Sequence, residues 1–278
     1  MTVLRAWNWD PAISAGLAYA AIFYAVGTWR LWRRAGVGTG LRVSQAAAFA
    51  GALAVLFTAL ISPLDAVAGV LFSAHMMQHL LLILVAAPLL VYAAPGFAML
   101  WALPAPLRRS FGRPGRTLQP AWRFLSRPAV AWSIFVAVMW LWHLPMLYDA
   151  ALRSPLLHAF EHACFLGAAL LFWWPLLRPF GSRTASRPFA VPYLFLASLQ
   201  GSALGAFITF APRPLYSGYA VSVVSSLTPL QDQQLAGLIM WLPGSLFYLA
   251  VAALFFVAWL GRTGAPLAAP ALLEGERS

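Results

Sequence analysis

The stretch that decides the fold is Val70–Ala94, VLFSAHMMQHLLLILVAAPLLVYAA. It contains no Asp, Glu or Arg, but it does contain two histidines. About 20 apolar residues in a helix cross the hydrocarbon core of a bilayer. The stretch therefore predicts a transmembrane helix. Because ionisable groups inside a membrane are costly, its histidines are candidates for a functional site.

The rest of the chain has the same character as this stretch. Hydrophobic residues make up 62% of it and charged residues 9%, against about 25% charged in soluble domains. We predict an all-α membrane protein with one seven-helix transmembrane domain over residues 1–263 and a short cytoplasmic tail over 264–278. The seven predicted spans are Pro11–Trp32, Val43–Ser62, Val70–Ala94, Pro128–Leu147, Pro155–Leu177, Ala190–Ala211 and Gln233–Leu260.

The arginines predict how these spans are oriented. All 18 basic residues are Arg, and the net charge is +11. If the connections alternate across the membrane, one side receives 15 of the arginines and the other receives three. Positively charged loops stay in the cytoplasm, so we expect the N-terminus outside and the C-terminus inside a bacterial inner (plasma) membrane. Because the charge lies in short loops between apolar spans, it indicates a lipid bilayer as partner and no nucleic acid.

All five histidines fall near the outer ends of predicted helices. His75 and His79 share one helix face at i, i+4 spacing, and so do His158 and His162. His143 lies at the outer end of the helix between those two. Three helices thus bring five imidazoles to one layer, which predicts a metal site.

Further donor atoms make copper the expected metal. Imidazole binds Cu, Zn, Fe and Ni, whereas thioether selects Cu(I). Met76 flanks the first histidine pair, and Asp232 and Met240 share a face of the last span. The predicted metal ligands are therefore His75, His79, His143, His158 and His162, with Met76, Met240 and Asp232 as further candidates. In an apolar chain, methionines serve more often as packing than as ligands.

Two other functions fit the same residues. His158-Ala-Phe-Glu161-His162 matches the H-x-x-E-H pattern of zinc peptidases, in which the Glu activates water. Glu161 can instead orient a histidine ring as a hydrogen-bond partner. A membrane haem protein with one His from each of two facing helices is the other alternative.

Several stretches together resemble a known family, the caa3-type cytochrome c oxidase assembly factors (the multi-span CtaG family). They are His75-Met-Met-Gln-His79, Trp142-His143-Leu-Pro145-Met-Leu-Tyr148-Asp149, His158-x-x-Glu161-His162 with Trp173-Trp174-Pro175, and Asp232-Gln233 with Gly237-Leu-Ile-Met240-Trp241. The resemblance runs roughly from the second predicted helix to the seventh. Leu80 and Ala87 depart from the pattern, at positions where Met and Pro are frequent.

The resemblance implies a role in respiratory-chain biogenesis. A member of this family is expected to help mature a haem-copper oxidase, by binding or delivering copper at the outer face of the membrane. Its implied partners are oxidase subunits and a periplasmic copper donor. Such a factor exchanges Cu(I) and makes or breaks no bond in a substrate, so we do not expect an enzyme.

Overall fold

A computed structural model of the chain describes residues 6–177, 189–219 and 227–263. Within these residues the regular structure is entirely helical. The helices are α1 (Pro11–Ala35), α2 (Val43–Leu60), α3 (Pro63–Ala68), α4 (Phe72–Leu80), α5 (Ala87–Ala93), α6 (Pro95–Ala102), α7 (Ala105–Leu125), α8 (Pro128–Trp142), α9 (Pro145–Arg153), α10 (Pro155–Leu177), α11 (Ala190–Thr209) and α12 (Pro229–Thr263). A π-helical segment, Leu81–Ala86, joins α4 to α5, and a short 3₁₀ turn covers Ser217–Tyr219. The predicted tail, 264–278, lies outside the described residues.

Six helices of the described residues are long and apolar enough to cross a membrane. A seventh span is obtained if Gln119–Leu125 and Pro128–Trp142 count as one, although the two are bent by 69°. The predicted fourth span, Pro128–Leu147, is too long as written, because α8 ends at Trp142 and a separate helix begins at Pro145. The fold class is thus confirmed as all-α with six to seven candidate spans.

The connection between the third and fourth spans is also helical, which the sequence analysis did not predict. It forms α6 and α7. In the sequence of α7, arginines such as Arg109 and Arg116 alternate with Leu107 and Trp122 at helical spacing. A helix with one basic face and one apolar face is suited to lie along a membrane surface. Its steep angle to α8 agrees with that position.

The third span runs without interruption from Phe72 to Ala93, but its middle turn is π-helical. The amide of Ala87 donates to the carbonyl of Leu82, five residues back. Pro88 has no N–H to donate to the preceding turn. The indole of Trp173 on α10 donates to the carbonyl of Ile83 at 2.9 Å, which satisfies that acceptor from outside the helix. π-Helical turns of this kind are frequent at functional sites, and this one begins two residues after His79.

Close approach between α11 and α12 depends on two glycines. A Cβ on Gly205 would lie 2.9 Å from the carbonyl oxygen of Gly237, and a Cβ on Gly237 would collide with the Thr209 hydroxyl. Small residues let transmembrane helices pack at short distance. The α12 helix also packs against α4, and α10 packs against α5, α8 and α9. The α3 and α12 helices thus both pack against α4, the helix that carries the first histidine pair.

Candidate metal centre

The structure brings all five predicted histidines into one cluster. His75, His79, His143 and His162 are buried, and His158 is half-buried. Within the pairs, ring centroids lie 4.2 Å apart for His75–His79 and 4.3 Å apart for His158–His162. Across the helices, His75 lies 5.1 Å from His158, and His79 lies 5.3 Å from His162. The ring of His143 lies 6.4 Å from that of His79. This set is called the histidine cluster below.

The histidine cluster contains two overlapping groups of possible ligand atoms. One group is His75, His158 and His162, and the other is His75, His79 and Glu161. Within each group, one donor atom per residue lies within 4.8 Å of the others. His75 belongs to both groups, so two neighbouring cation positions share one ligand.

Most of the ring nitrogens that face this space are unpaired. Among the described residues, no hydrogen-bond partner is found for Nε2 of His75, His143, His158 and His162, for either nitrogen of His79, or for either oxygen of Glu161. Glu161 Oε1 lies 3.9 Å from His79 Nε2, too far for a hydrogen bond. Buried polar groups without partners are costly, and a ligand bound among these atoms would satisfy them. A metal ion accepts imidazole lone pairs and fits this donor set.

A hydrogen bond to a tyrosine determines which ring nitrogen of His75 carries the available lone pair. The Tyr219 hydroxyl donates to the carbonyl of Ala68 at 2.9 Å and lies 3.1 Å from His75 Nδ1. Burial raises the pKa of Tyr219 above its usual value, so the phenol keeps its proton. Since that proton points to Ala68, His75 Nδ1–H must be the donor to the tyrosine oxygen. The lone pair of His75 therefore resides on Nε2, the atom that faces the cluster unpaired.

His143 is fixed in the same tautomer by a different group. Its Nδ1 lies 2.6 Å from the carbonyl oxygen of Met139, which can only accept. Nδ1 therefore carries the hydrogen, and the unpaired Nε2 carries the lone pair. The residue follows the last turn of α8 as its C-cap, and its own carbonyl accepts a hydrogen bond from Tyr216 at 3.0 Å. A hydrogen bond to the far nitrogen is what metal-binding histidines ordinarily have.

Asp232, in the first turn of α12, is hydrogen-bonded to the start of α4. Its carboxylate is buried and accepts hydrogen bonds from the backbone amides of Phe72 and Ser73, at 2.7 and 3.2 Å, and from the Ser73 hydroxyl. These are the first residues of α4. Both carboxylate oxygens are thus engaged at the start of the helix that carries His75 and His79. The structure makes Asp232 a group that positions α4.

The two predicted methionine ligands have largely apolar surroundings. Met76 is 2% exposed and belongs to the main hydrophobic core together with Phe72. Met240 lines a small cavity of about 20 Å³ with Leu80 and Met139, among other residues. Neither position gives a reason beyond packing for the thioether.

Aromatic residues that were not among the predicted ligands complete the surroundings. Tyr148 on α9 has its ring 5.2 Å from His75, and Phe165 lies 4.4 Å from His79. Tyr219 belongs to the 3₁₀ turn between α11 and α12. Asp149 holds that turn by accepting from the backbone and hydroxyl of Ser217. No spacing pattern links residues 148 and 219, so only the fold reveals them as neighbours.

Comparisons with known proteins identify a family and two relatives. Residues 22–262 match the family model described as "Cytochrome c oxidase caa3 assembly factor". Two relatives, each described as an uncharacterized protein, come from Mycobacterium bovis and Mycobacterium tuberculosis. Each is 30% identical over 254 residues, which are 86% of this chain and 37% of the relative. The chain thus spans little more than a third of the length of these relatives. No solved structure matches it.

Proposed function

We propose that this chain, which belongs to the cytochrome c oxidase caa3 assembly factor family, holds Cu(I) in its histidine cluster and transfers it to a haem-copper oxidase during assembly. The observation that carries the proposal is the convergence of five imidazoles, four buried and one half-buried, whose Nε2 atoms all lack hydrogen-bond partners among the described residues. Family membership suggests an oxidase as the protein that receives the metal. The imidazole donor atoms suggest Cu(I) as the metal.

The charges of the site favour a singly charged ion. The Born cost of burying an ion grows with the square of its charge, so Cu(I) is far easier to bury than a divalent metal. Neutral imidazoles supply lone pairs without adding charge. Glu161, 1% exposed at the centre of the cluster, can balance the single positive charge when ionised.

The two overlapping ligand groups suggest how copper moves. An ion held by His75, His158 and His162 needs to exchange only two ligands to reach His79 and Glu161. His75 stays bound throughout, so the ion is never fully released into an apolar interior. A path of this kind suits a carrier, which must bind its cargo and also let it go.

The packing of the rings argues against the haem alternative. His75 contacts both His158 and His162 across the two helices, with centroids 5.1 and 5.8 Å apart. A porphyrin is a flat plate that must pass between its two axial ligands. Rings in direct contact leave no gap for such a plate.

The peptidase alternative has less support than copper transfer. In the H-x-x-E-H reading, His158 and His162 bind the metal and Glu161 activates a water on it. Here Glu161 shares a ligand group with His75 and His79 instead. Glu161 is also buried, with 1% of its side chain exposed among the described residues.

The orientation of the chain in the membrane is part of the proposal. With the N-terminus outside an inner membrane, the histidine cluster lies near the periplasmic face, where a soluble copper donor can reach it. The oxidase subunit that receives the metal would approach from within the same membrane.

Cu(I) binding by the purified full-length chain tests the proposal. A competing Cu(I) chelator under reducing conditions measures affinity, and a visible spectrum reports any haem. We expect one tightly bound Cu(I) ion, since both ligand groups use His75, and a loss of at least 100-fold in affinity in a His75→Ala/His162→Ala variant. Ser202→Ala is the matched control, because Ser202 bonds Ser245 on another helix pair inside the bundle. Unchanged Cu(I) affinity in the double histidine variant would refute the copper proposal.

A deletion strain tests the link to the oxidase. Grown with scarce copper, it should contain oxidase protein that lacks its copper-dependent activity. Added copper should restore part of that activity, because a carrier only raises the effective concentration of metal at its target. A fully copper-loaded oxidase in the copper-starved deletion strain would rule out the assembly role.

A further inference from the structure

A second cavity lies away from the histidine cluster, where α1 and α6 end and α7 begins. Its volume is about 370 Å³, within the size range of small-molecule sites. The lining residues are mostly cationic or aromatic: Trp29, Arg30, Arg33, Arg34, Trp101 and Arg108, with Leu103, Pro104 and Ala105 from the turn. This set is called the arginine pocket below.

The arginine pocket holds four guanidinium groups without a counter-ion. Among the described residues, no carboxylate lies within ion-pair distance of any of them, since the one such pair is His79–Glu161. Four positive charges around one cavity repel each other unless an anion joins them. The lack of a negative counter-charge among the described residues therefore points to an anionic ligand.

The guanidinium groups are held in place by aromatic rings. Arg33 lies 4.8 Å above the ring of Trp29, and Arg108 lies 4.1 Å above that of Trp101. Stacking on a ring face fixes the planar group and leaves its N–H edge available. Arg30 is anchored by donating to the carbonyl of Ala102. Pre-oriented donors of this kind match the oxygens of a phosphate.

The first turn of α7 adds to the positive potential. Pro104 precedes the helix and offers no side-chain cap, and the first turn contains no acidic residue. The amino end of a helix carries a partial positive charge. It meets the pocket at Ala105 and Arg108, so helix and side chains attract the same anion.

The position of the arginine pocket favours a lipid over a soluble anion as its ligand. Tryptophans that flank spanning helices lie at the depth of the lipid headgroups, and Trp29 and Trp101 line the pocket. Tyr19, Ile22 and Trp29 lie on one face of α1 and are 59%, 61% and 55% exposed. They form an apolar stripe that leads from the pocket along the spanning helix. A phosphate seated in the pocket would place its acyl chains along this stripe.

We propose that the arginine pocket binds the phosphate of an acidic phospholipid and fixes the start of α7 at the membrane surface. Basic pockets beside transmembrane helices are recurrent sites for anionic headgroups. The proposal is independent of copper, since none of the pocket residues belongs to the histidine cluster.

Native mass spectrometry of the full chain in detergent tests this inference. The probes are phosphatidylglycerol and phosphatidylcholine with matched acyl chains, and inorganic phosphate. We expect preferential binding of phosphatidylglycerol, lowered roughly 10- to 30-fold in an Arg33→Gln/Arg108→Gln variant. Phosphatidylcholine binding should not change.

An Arg109→Gln/Arg153→Gln variant is the control, because it removes the same net charge from exposed positions outside the pocket. Equal loss of phosphatidylglycerol binding in both double variants would overturn the proposal in favour of general charge attraction. Displacement of the lipid by millimolar inorganic phosphate would overturn the lipid assignment in favour of free phosphate. If the pocket variant does not fold, the single variants Arg33→Gln and Arg109→Gln give the same comparison.

Discussion

At the scale of single residues, Tyr219 has the clearest influence on the histidine cluster. Its oxygen accepts from His75 Nδ1 while its proton is committed to Ala68. It therefore holds the one histidine common to both candidate ligand groups in the tautomer whose Nε2 lone pair is available to a metal. Tyr219, which is not itself a candidate ligand, thus determines which ring nitrogen His75 makes available.

Tyr219→Phe should lower Cu(I) affinity by about 10- to 100-fold, the usual cost of losing a partner that orients a metal-binding histidine. The ring remains, so the fold should be intact. Tyr193→Phe is the matched control: its buried hydroxyl donates to the carbonyl of Phe172, away from the histidines. Chelator competition compares the two variants. Equal affinities would show that Tyr219 does not orient His75.

At the scale of elements, α4 depends on a carboxylate from α12. Asp232 accepts from two backbone amides and one hydroxyl at the start of α4, and is 2% exposed. The last helix thereby sets the position of the third span, and with it the depth of His75 and His79. The sequence separation of 160 residues makes this a tertiary link.

Asp232→Ala should destabilise the protein by about 1–3 kcal/mol, because buried amides lose their acceptor. Cu(I) affinity should fall as well, since α4 is no longer held in place. Asp10→Ala removes an N-cap of the same chemistry from α1, at a half-buried position. It should cost about 1 kcal/mol or less and leave copper binding unchanged. Thermal unfolding and chelator competition on both variants distinguish positioning from coordination: a normal melting temperature with lost copper would identify Asp232 as a ligand instead.

The α11–α12 contact gives a second prediction at this scale. Gly237→Ala would push a methyl group into Thr209 and the carbonyl of Gly205. We expect a loss of about 1–3 kcal/mol, as for other overpacked sites. Gly201→Ala is the control, since no atom lies within 4 Å of a Cβ added there. Similar unfolding temperatures for the two variants would contradict the close approach.

At the scale of the whole molecule, the arginine distribution predicts which end of the bundle faces the cytoplasm. An alkaline phosphatase fusion after Arg116, in α7, should be inactive, because this connection belongs to the side rich in arginine. A fusion after Arg153, at the end of α9, should be active. The opposite pattern would place the histidine cluster at the cytoplasmic face and would remove the periplasmic donor from the proposal.

Features that depend on local composition and spacing could be predicted from the sequence. Apolar runs such as Val43–Leu60 are long enough to cross a bilayer, so the all-α class and six of the seven predicted spans could be read directly. The i, i+4 spacing of His75 with His79 and of His158 with His162 placed each pair on one helix face. The meeting of these pairs with His143 was predicted from depth alone, and the structure brings them together.

The remaining features are contacts between helices, which no local pattern encodes and which appear only in the folded bundle. In the structure, Asp232 accepts hydrogen bonds from the start of α4, the Arg-rich connection forms α6 and α7, and α9 is a helix separate from α8. Tyr219 lies beside His75, 144 residues away in the sequence, and four arginines line one cavity. A hydrogen bond or a shared cavity depends on where distant segments come to lie, and that is set by packing of the whole bundle rather than by the periodicity of any one helix.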